Sequence, residues 1–225
     1  MRSTSSRAKV VPAARVVGLV ALVFGTAAAS PVVSPAAVLA YPGPPIAGAD
    51  REVGMYGDPA AAAPYWRQQH ASDCGEMAVA DVVGQIAGHE LTEQQITALA
   101  ENTASTAGPG PIWKPPGTTD IRDLPVLLWH YGIGADNIQT NTNALTHKLR
   151  ENRKVIVILN AETIWNRPGR RDSGNHFVVV TAIDSGSGVV HLNDSAIDTG
   201  RDEQIPIGTF EQAWASNYNS AIITR

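Results

Sequence analysis

The sequence predicts an α+β fold, with an N-terminal helical part packed on a C-terminal antiparallel β-sheet. Three observations predict it. Apolar residues at helical spacing, with caps and stops between the segments, dominate from Cys74 to Lys154. From Val155 onward the pattern becomes continuous β-branched runs, two of them joined by the turn Ser185-Gly-Ser-Gly188. Helices first and strands second is the order of α+β folds, not of alternating βαβ units.

The first 40 residues read as an export signal. A basic stretch ends at Arg15, Val16 to Ala29 is apolar, and small residues at Ala27/Ala29 or Val38/Ala40 fit cleavage near 29 or near 40. An uncleaved anchor is the alternative. The apolar run is short of the roughly 20 residues a span needs, and Pro31 and Pro35 interrupt it. Residues 41–64 are rich in Pro, Gly and Ala and are expected to be a linker. Residues 65–225 are then a single folded domain.

The formal charge is −4, and Arg2, Arg7, Lys9 and Arg15 all lie in the expected signal. The remainder has 13 basic against 21 acidic side chains, a net −8. So acidic a chain is expected to have no nucleic-acid partner and, once the signal is cleaved, no stable membrane insertion.

Within the domain, the first helix runs from Cys74 to about Ala87 and stops at Gly88. Thr92 caps a second, Glu93 to Ala100. Residues 102–118 form a long Gly/Pro loop holding Trp113; a loop of that length inside a compact domain is usually functional or disordered. Thr119 or Asp120 caps a helix with Leu124, Leu127, Leu128 and Trp129, and Thr142 or Asn143 caps another with Leu145 and Leu149. Val155–Leu159 is a buried strand, and residues 160–175 are a second loop with Trp165, Arg167, Arg170 and Arg171. His176–Asp184 and Val189–Asn193 make an antiparallel hairpin. Ile207–Trp214 is a short helix, and Ser220–Thr224 a last strand, expected at an edge.

Cys74 is the only cysteine. Outside the cytosol structural cysteines come in pairs, so a single one is intermolecular, buried and inert, or reactive. A helix start favours an anion through its unpaired N–H groups and its dipole, so a thiol there ionises more readily than a free one. A thiol nucleophile also needs a base, an orienter for the base and donors for an oxyanion. His176 opens a strand and Asp194 follows the partner strand of the same hairpin, so pairing brings them close. Gln68 and the Cys74 N–H are the candidate oxyanion donors. Blander readings stand beside these: Cys74 as a small buried hydrophobe, Asp194 as a turn residue, the arginines as a solvated cluster or as a site for an acidic substrate group. Trp113 and Trp165 either line a groove or plug the core edge. His70, Cys74 and His89 lack a second cysteine and tight spacing, so neither a metal nor another cofactor is expected.

Gln68-x5-Cys74, with Asp73 before the cysteine and Gly75 after it, resembles the papain-like cysteine peptidases. It is most similar to the bacteriocin-processing group that cuts after double-glycine leaders, and to that group's stand-alone relatives. His176-Phe-Val-Val-Val looks like that group's catalytic-histidine strand. Val190-His-Leu-Asn-Asp194-Ser195 looks like the strand ending in its catalytic aspartate, and Phe210-Glu-Gln-Ala-Trp214 like its short late helix. The resemblance covers residues 65–225. It implies a papain-like fold and a secreted cysteine peptidase that hydrolyses peptide or protein substrates through a thioester, without a cofactor. Cys74 is then the nucleophile, His176 the base, Asp194 the orienter and Gln68 the oxyanion residue, with Asn193 the alternative orienter because papain-like sites can use Asn in that role. Two features depart from the group: a stand-alone chain is expected instead of a transporter fusion, and Ser195 stands where those relatives often have proline. The same four residues would also serve an acyltransferase or amidase, or remain in an idle binding module.

Overall fold

The computed structural model describes residues 54–225. The expected signal, and residues 41–53 of the expected linker, lie outside the described residues.

Seven strands form one antiparallel sheet in the order β2-β7-β3-β4-β5-β6, with β1 also paired to β4. They are β1 (Met55–Gly57), β2 (Ala135–Gln139), β3 (Val155–Leu159), β4 (His176–Asp184), β5 (Val189–Asn193), β6 (Glu203–Pro206) and β7 (Ser220–Thr224). The helices are α1 (Pro59–Ala62), α2 (Cys74–Ala87), α3 (Glu93–Glu101), α4 (Leu124–Trp129), α5 (Thr142–Arg150), α6 (Ala161–Ile164) and α7 (Ile207–Ala215).

Both faces of the sheet are covered, which is why its central strands read as continuous apolar runs and not as alternating ones. Ile156, Phe177, Val179 and Ile222 pack into one core with α2, α3 and α4. The alternate residues Val155, Val157, Val178, Val180, Ala221 and Ile223 pack into a second core with Leu145 and Leu149 of α5 and Phe210, Ala213 and Trp214 of α7. α2 is buried from Gly75 to Gly84, polar Glu76 and Asp81 included. It is the central helix of the first core, and it carries the cysteine.

The structure corrects several expectations. Residues 54–64 are not linker. β1 pairs with Ala182–Asp184, and Asp58 caps α1 by accepting from the Ala61 N–H at 2.9 Å. Pro59 stands in the first turn, where its missing N–H costs nothing, and alanine is the best helix former, so a Pro/Ala-rich segment becomes a helix. Ser220–Thr224 is an interior strand, because the unanticipated β2 pairs with its outer side. Its five buried residues fit that position better than an edge. α5 is capped by Asn141, whose Oδ1 accepts from the Ala144 N–H, one residue before the expected cap. Among the described residues no helix is long and apolar enough to cross a membrane.

Candidate active site

α2 begins at Cys74, so the thiol stands in a helical first turn among N–H groups that have no partner within the helix. Gly75 lets this turn reach the sheet. A Cβ there would lie 3.2 Å from Leu124 Cδ2, 3.3 Å from Phe177 Cδ2 and 3.4 Å from Thr119 Cβ. Phe177 follows His176 in β4, and the Cys74 thiol lies near enough to the imidazole to act on its charge.

His176 and Asp194 meet at the open end of the β4–β5 hairpin, both buried, with His176 Nε2 2.7 Å from Asp194 Oδ1. A carboxylate only accepts, so Nε2 donates and Nδ1 is the ring atom left for the thiol. Asp194 accepts two further bonds, from the Ala196 N–H at 2.8 Å and from the Trp165 indole N–H at 3.1 Å. The Trp165 ring also lies against the imidazole, with centroids 5.3 Å apart, and the Arg167 guanidinium sits 4.7 Å from the Trp165 ring. Asn193, the alternative orienter, faces elsewhere. Its side-chain amide donates to Asp81 Oδ2 at 2.8 Å and to the Ala62 carbonyl at 3.2 Å.

Several residues that the sequence reading did not assign hold the loop before the cysteine. The Gln69 N–H donates to the Ser195 carbonyl at 2.8 Å, and the Ser195 hydroxyl donates back to Gln69 Oε1 at 2.6 Å. Ser195, the departure from the family pattern, therefore joins the nucleophile loop to the segment that carries Asp194. The Trp66 indole N–H donates to the Asp194 carbonyl at 2.6 Å. Trp113 is buried, and its indole N–H reaches the Ser72 and Gly117 carbonyls at 3.0 Å each, so it plugs the core edge and ties loop 102–118 to the nucleophile loop. Gly200 permits the turn after Asp194, since a Cβ there would run into the Asp194 carbonyl. Single side chains reaching across the fold leave no periodic signal; Trp113 stood out only by its place in a long loop, and Ser195 only by its departure from the family pattern.

Gln68 is exposed on the loop leading into α2. The arginines divide. Arg170 pairs with Asp172 at 3.1 Å, Arg171 donates to the Arg167 carbonyl at 2.9 Å, and Arg167 alone lies next to the site. A cleft of about 310 Å³ lies elsewhere, lined by Tyr56, Gln85, Arg150, Arg153, Lys154 and Thr181 among others. Among the described residues no group of three or more His, Cys, Asp or Glu is placed to hold a metal ion.

The electrostatics set His176 and Asp194 apart from their neighbours. Burial disfavours charge on His176, but the bonds to Asp194 and to Cys74 outweigh it and raise the imidazole to about 10. Burial acts against the Asp194 charge too, and the His176 bond leads the contacts that hold it below the usual carboxylate range. Three nearby carboxyls shift upward. Asp73 is fully buried with both oxygens unpartnered, and burial and then Glu93 raise it to about 7. Glu76 is raised to about 7 by burial, against the bond from the Thr119 hydroxyl. Glu203 is raised to about 7 by burial and by Asp194.

A helix-borne thiol packed on an antiparallel sheet, next to a strand that opens with a carboxylate-bonded histidine, is the architecture of a papain-like α+β fold. The family model described as the Peptidase_C39 like family matches residues 61–222, and the chain belongs to that family. An uncharacterised protein of Mycobacterium bovis is 43% identical over 195 residues, covering 76% of this chain and 84% of that protein. Two uncharacterised proteins of Mycobacterium tuberculosis strains match to the same extent. The crystal structure of a candidate C39-like peptidase from Bacillus anthracis shares the fold, with a TM-score of 0.56 at 19% identity over 74% of this chain and 96% of that one. A double-glycine motif protease of an AMS/PCAT transporter, solved with its leader peptide, is more distant, with a TM-score of 0.46 at 17% identity over 70% of this chain and 88% of that one.

Proposed function

We propose that the protein is an exported cysteine peptidase that hydrolyses peptide bonds with Cys74, His176 and Asp194. The observation that carries this reading is the single histidine in contact with both partners, its Nε2 on Asp194 at 2.7 Å and the thiol of Cys74 beside it. The raised imidazole favours an imidazolium facing a thiolate. The sulfur attacks the carbonyl carbon of the scissile amide, and the oxyanion that forms is met by the Cys74 N–H and by Gln68 turning in from the exposed loop. His176 gives its proton to the leaving amine as the thioester forms. It then takes a proton from the water that hydrolyses the thioester, which restores the thiol and releases the acid. Asp194 holds the imidazole in the tautomer this requires. The basic-then-apolar N-terminus supports export.

The test is turnover of a peptide library by the wild type and by Cys74→Ala. Loss of all cleavage with an unchanged circular dichroism spectrum is expected, and full activity in the variant would end the proposal. Adding an amine acceptor distinguishes transfer from hydrolysis, with free acid the product expected.

A further inference from the structure

Beside Asp194 stands a second carboxyl. Glu203 is the first residue of β6, paired across the sheet with Leu192, two residues before Asp194. Its Oε2 is buried and meets no donor, and Asp194 is the charged group that acts on it most strongly. Two carboxylates in contact away from water repel each other, and the stable arrangement is one proton held between them. Asp194 already accepts from His176 Nε2, the Ala196 N–H and the Trp165 indole, three donors that favour its charged form. The proton therefore belongs on Glu203, where it also satisfies the otherwise unpaired acid.

We infer that Glu203 is a positioning residue of this site, a neutral carboxylic acid that donates a hydrogen bond to Asp194 and fixes the carboxylate that orients His176. The inference rests on the reading of Cys74, His176 and Asp194 given above. The ionisable groups around Glu203 are Asp194 at the end of β5 and His176 at the start of β4, with Cys74 of α2 beyond the imidazole. Asp202, immediately before Glu203 in the chain, pairs with His191 of β5, with 2.7 Å between Oδ1 and Nδ1. Asp194 favours a proton on Glu203 and His176 opposes it; with burial the balance lies at about 7. As pH rises through that value the donated bond becomes a repulsion between two carboxylates. The orientation of His176 is then disturbed while the fold around it stays in place.

The experiment follows the downfield Nε2–H resonance of His176 by NMR in the folded protein from about pH 5 to 9, a window centred on the Glu203 transition. In the wild type the resonance is expected to shift with an inflection near pH 7. Glu203→Gln keeps a neutral donor, so the resonance should persist and the inflection disappear. Glu203→Leu removes the donor, and the resonance should broaden through solvent exchange even at low pH. An inflection that survives in Glu203→Gln, or a Glu203→Leu spectrum matching that of Glu203→Gln, would overturn the inference. Iodoacetamide labelling of Cys74 in the wild type and in His176→Ala runs alongside. Labelling insensitive to His176 would count against the peptidase reading, whereas the His176 resonance still decides whether Glu203 positions Asp194.

Discussion

Asp194 is the residue on which the site converges, because the imidazole of His176 and the indoles of Trp165 and Trp66 all bond to it. Trp165 gives it one hydrogen bond and gives the imidazole an aromatic wall. Trp165→Phe keeps the wall and removes the donor. A hydrogen bond to a charged group is worth about 1.5–3 kcal/mol, so a roughly tenfold or larger fall in kcat with little change in KM is expected. Unchanged kcat would show that the indole N–H does not hold Asp194. That His176 and Asp194 would meet was legible in the sequence because each stands at a strand boundary, where residue type and position can be read together. The role of Trp165 was not, because it follows a four-residue helix in a segment with no periodicity to aim a side chain.

At the scale of elements, the nucleophile loop is stitched to the far strands by short polar bridges. Ser195→Ala removes the hydroxyl bond to Gln69 but leaves the backbone bond from Gln69. The expected cost is about 1 kcal/mol, or roughly 2–4 °C in Tm for a domain of this size by calorimetry. No change in Tm would mean that water replaces the bond fully. The elements with strong periodicity, α2, α3, β3 and β4, were readable from their apolar spacing. β2 was missed because Ala-Asp-Asn-Ile-Gln is an exposed outer strand with no buried face to set a pattern. β6 was missed because it is four residues long and ends in proline. β1 and α1 were read as linker because composition cannot separate a short strand and a capped Pro/Ala turn from a flexible arm when β4, the strand that β1 pairs with, lies more than a hundred residues away.

For the whole molecule, the buried acids dictate how stability varies with pH. Asp73, Glu76 and Glu203 are raised to about 7 and Asp81 to about 6, each above its value in an unfolded chain. A raised carboxyl contributes stability that is complete below its unfolded pKa and is lost as pH rises through the folded one. His176 at about 10 acts in the same sense, losing its contribution from about 6.5 upward. Asp194 and Glu93 are lowered and act oppositely, losing theirs as pH falls. The balance predicts a Tm higher near pH 5 than near pH 8, with the drop smaller in Asp73→Asn, whose amide needs no proton to stay neutral. A Tm that rises between those values would contradict this. Burial of charge without a cation is invisible in a sequence, because it depends on which face of α2 meets α3 and the sheet.

Cys74 and His176 are expected to work as a pair, and the alkylation rate of Cys74 against pH, read by intact mass in wild type and His176→Ala, reports that pairing. A free thiol reacts appreciably only near a pKa of about 8.5, whereas a thiol held by an imidazolium reacts below about pH 7. Rapid labelling at low pH that vanishes in His176→Ala is the predicted result. Slow labelling that ignores His176 would mean that the thiol is idle and that the fold serves something other than peptide cleavage.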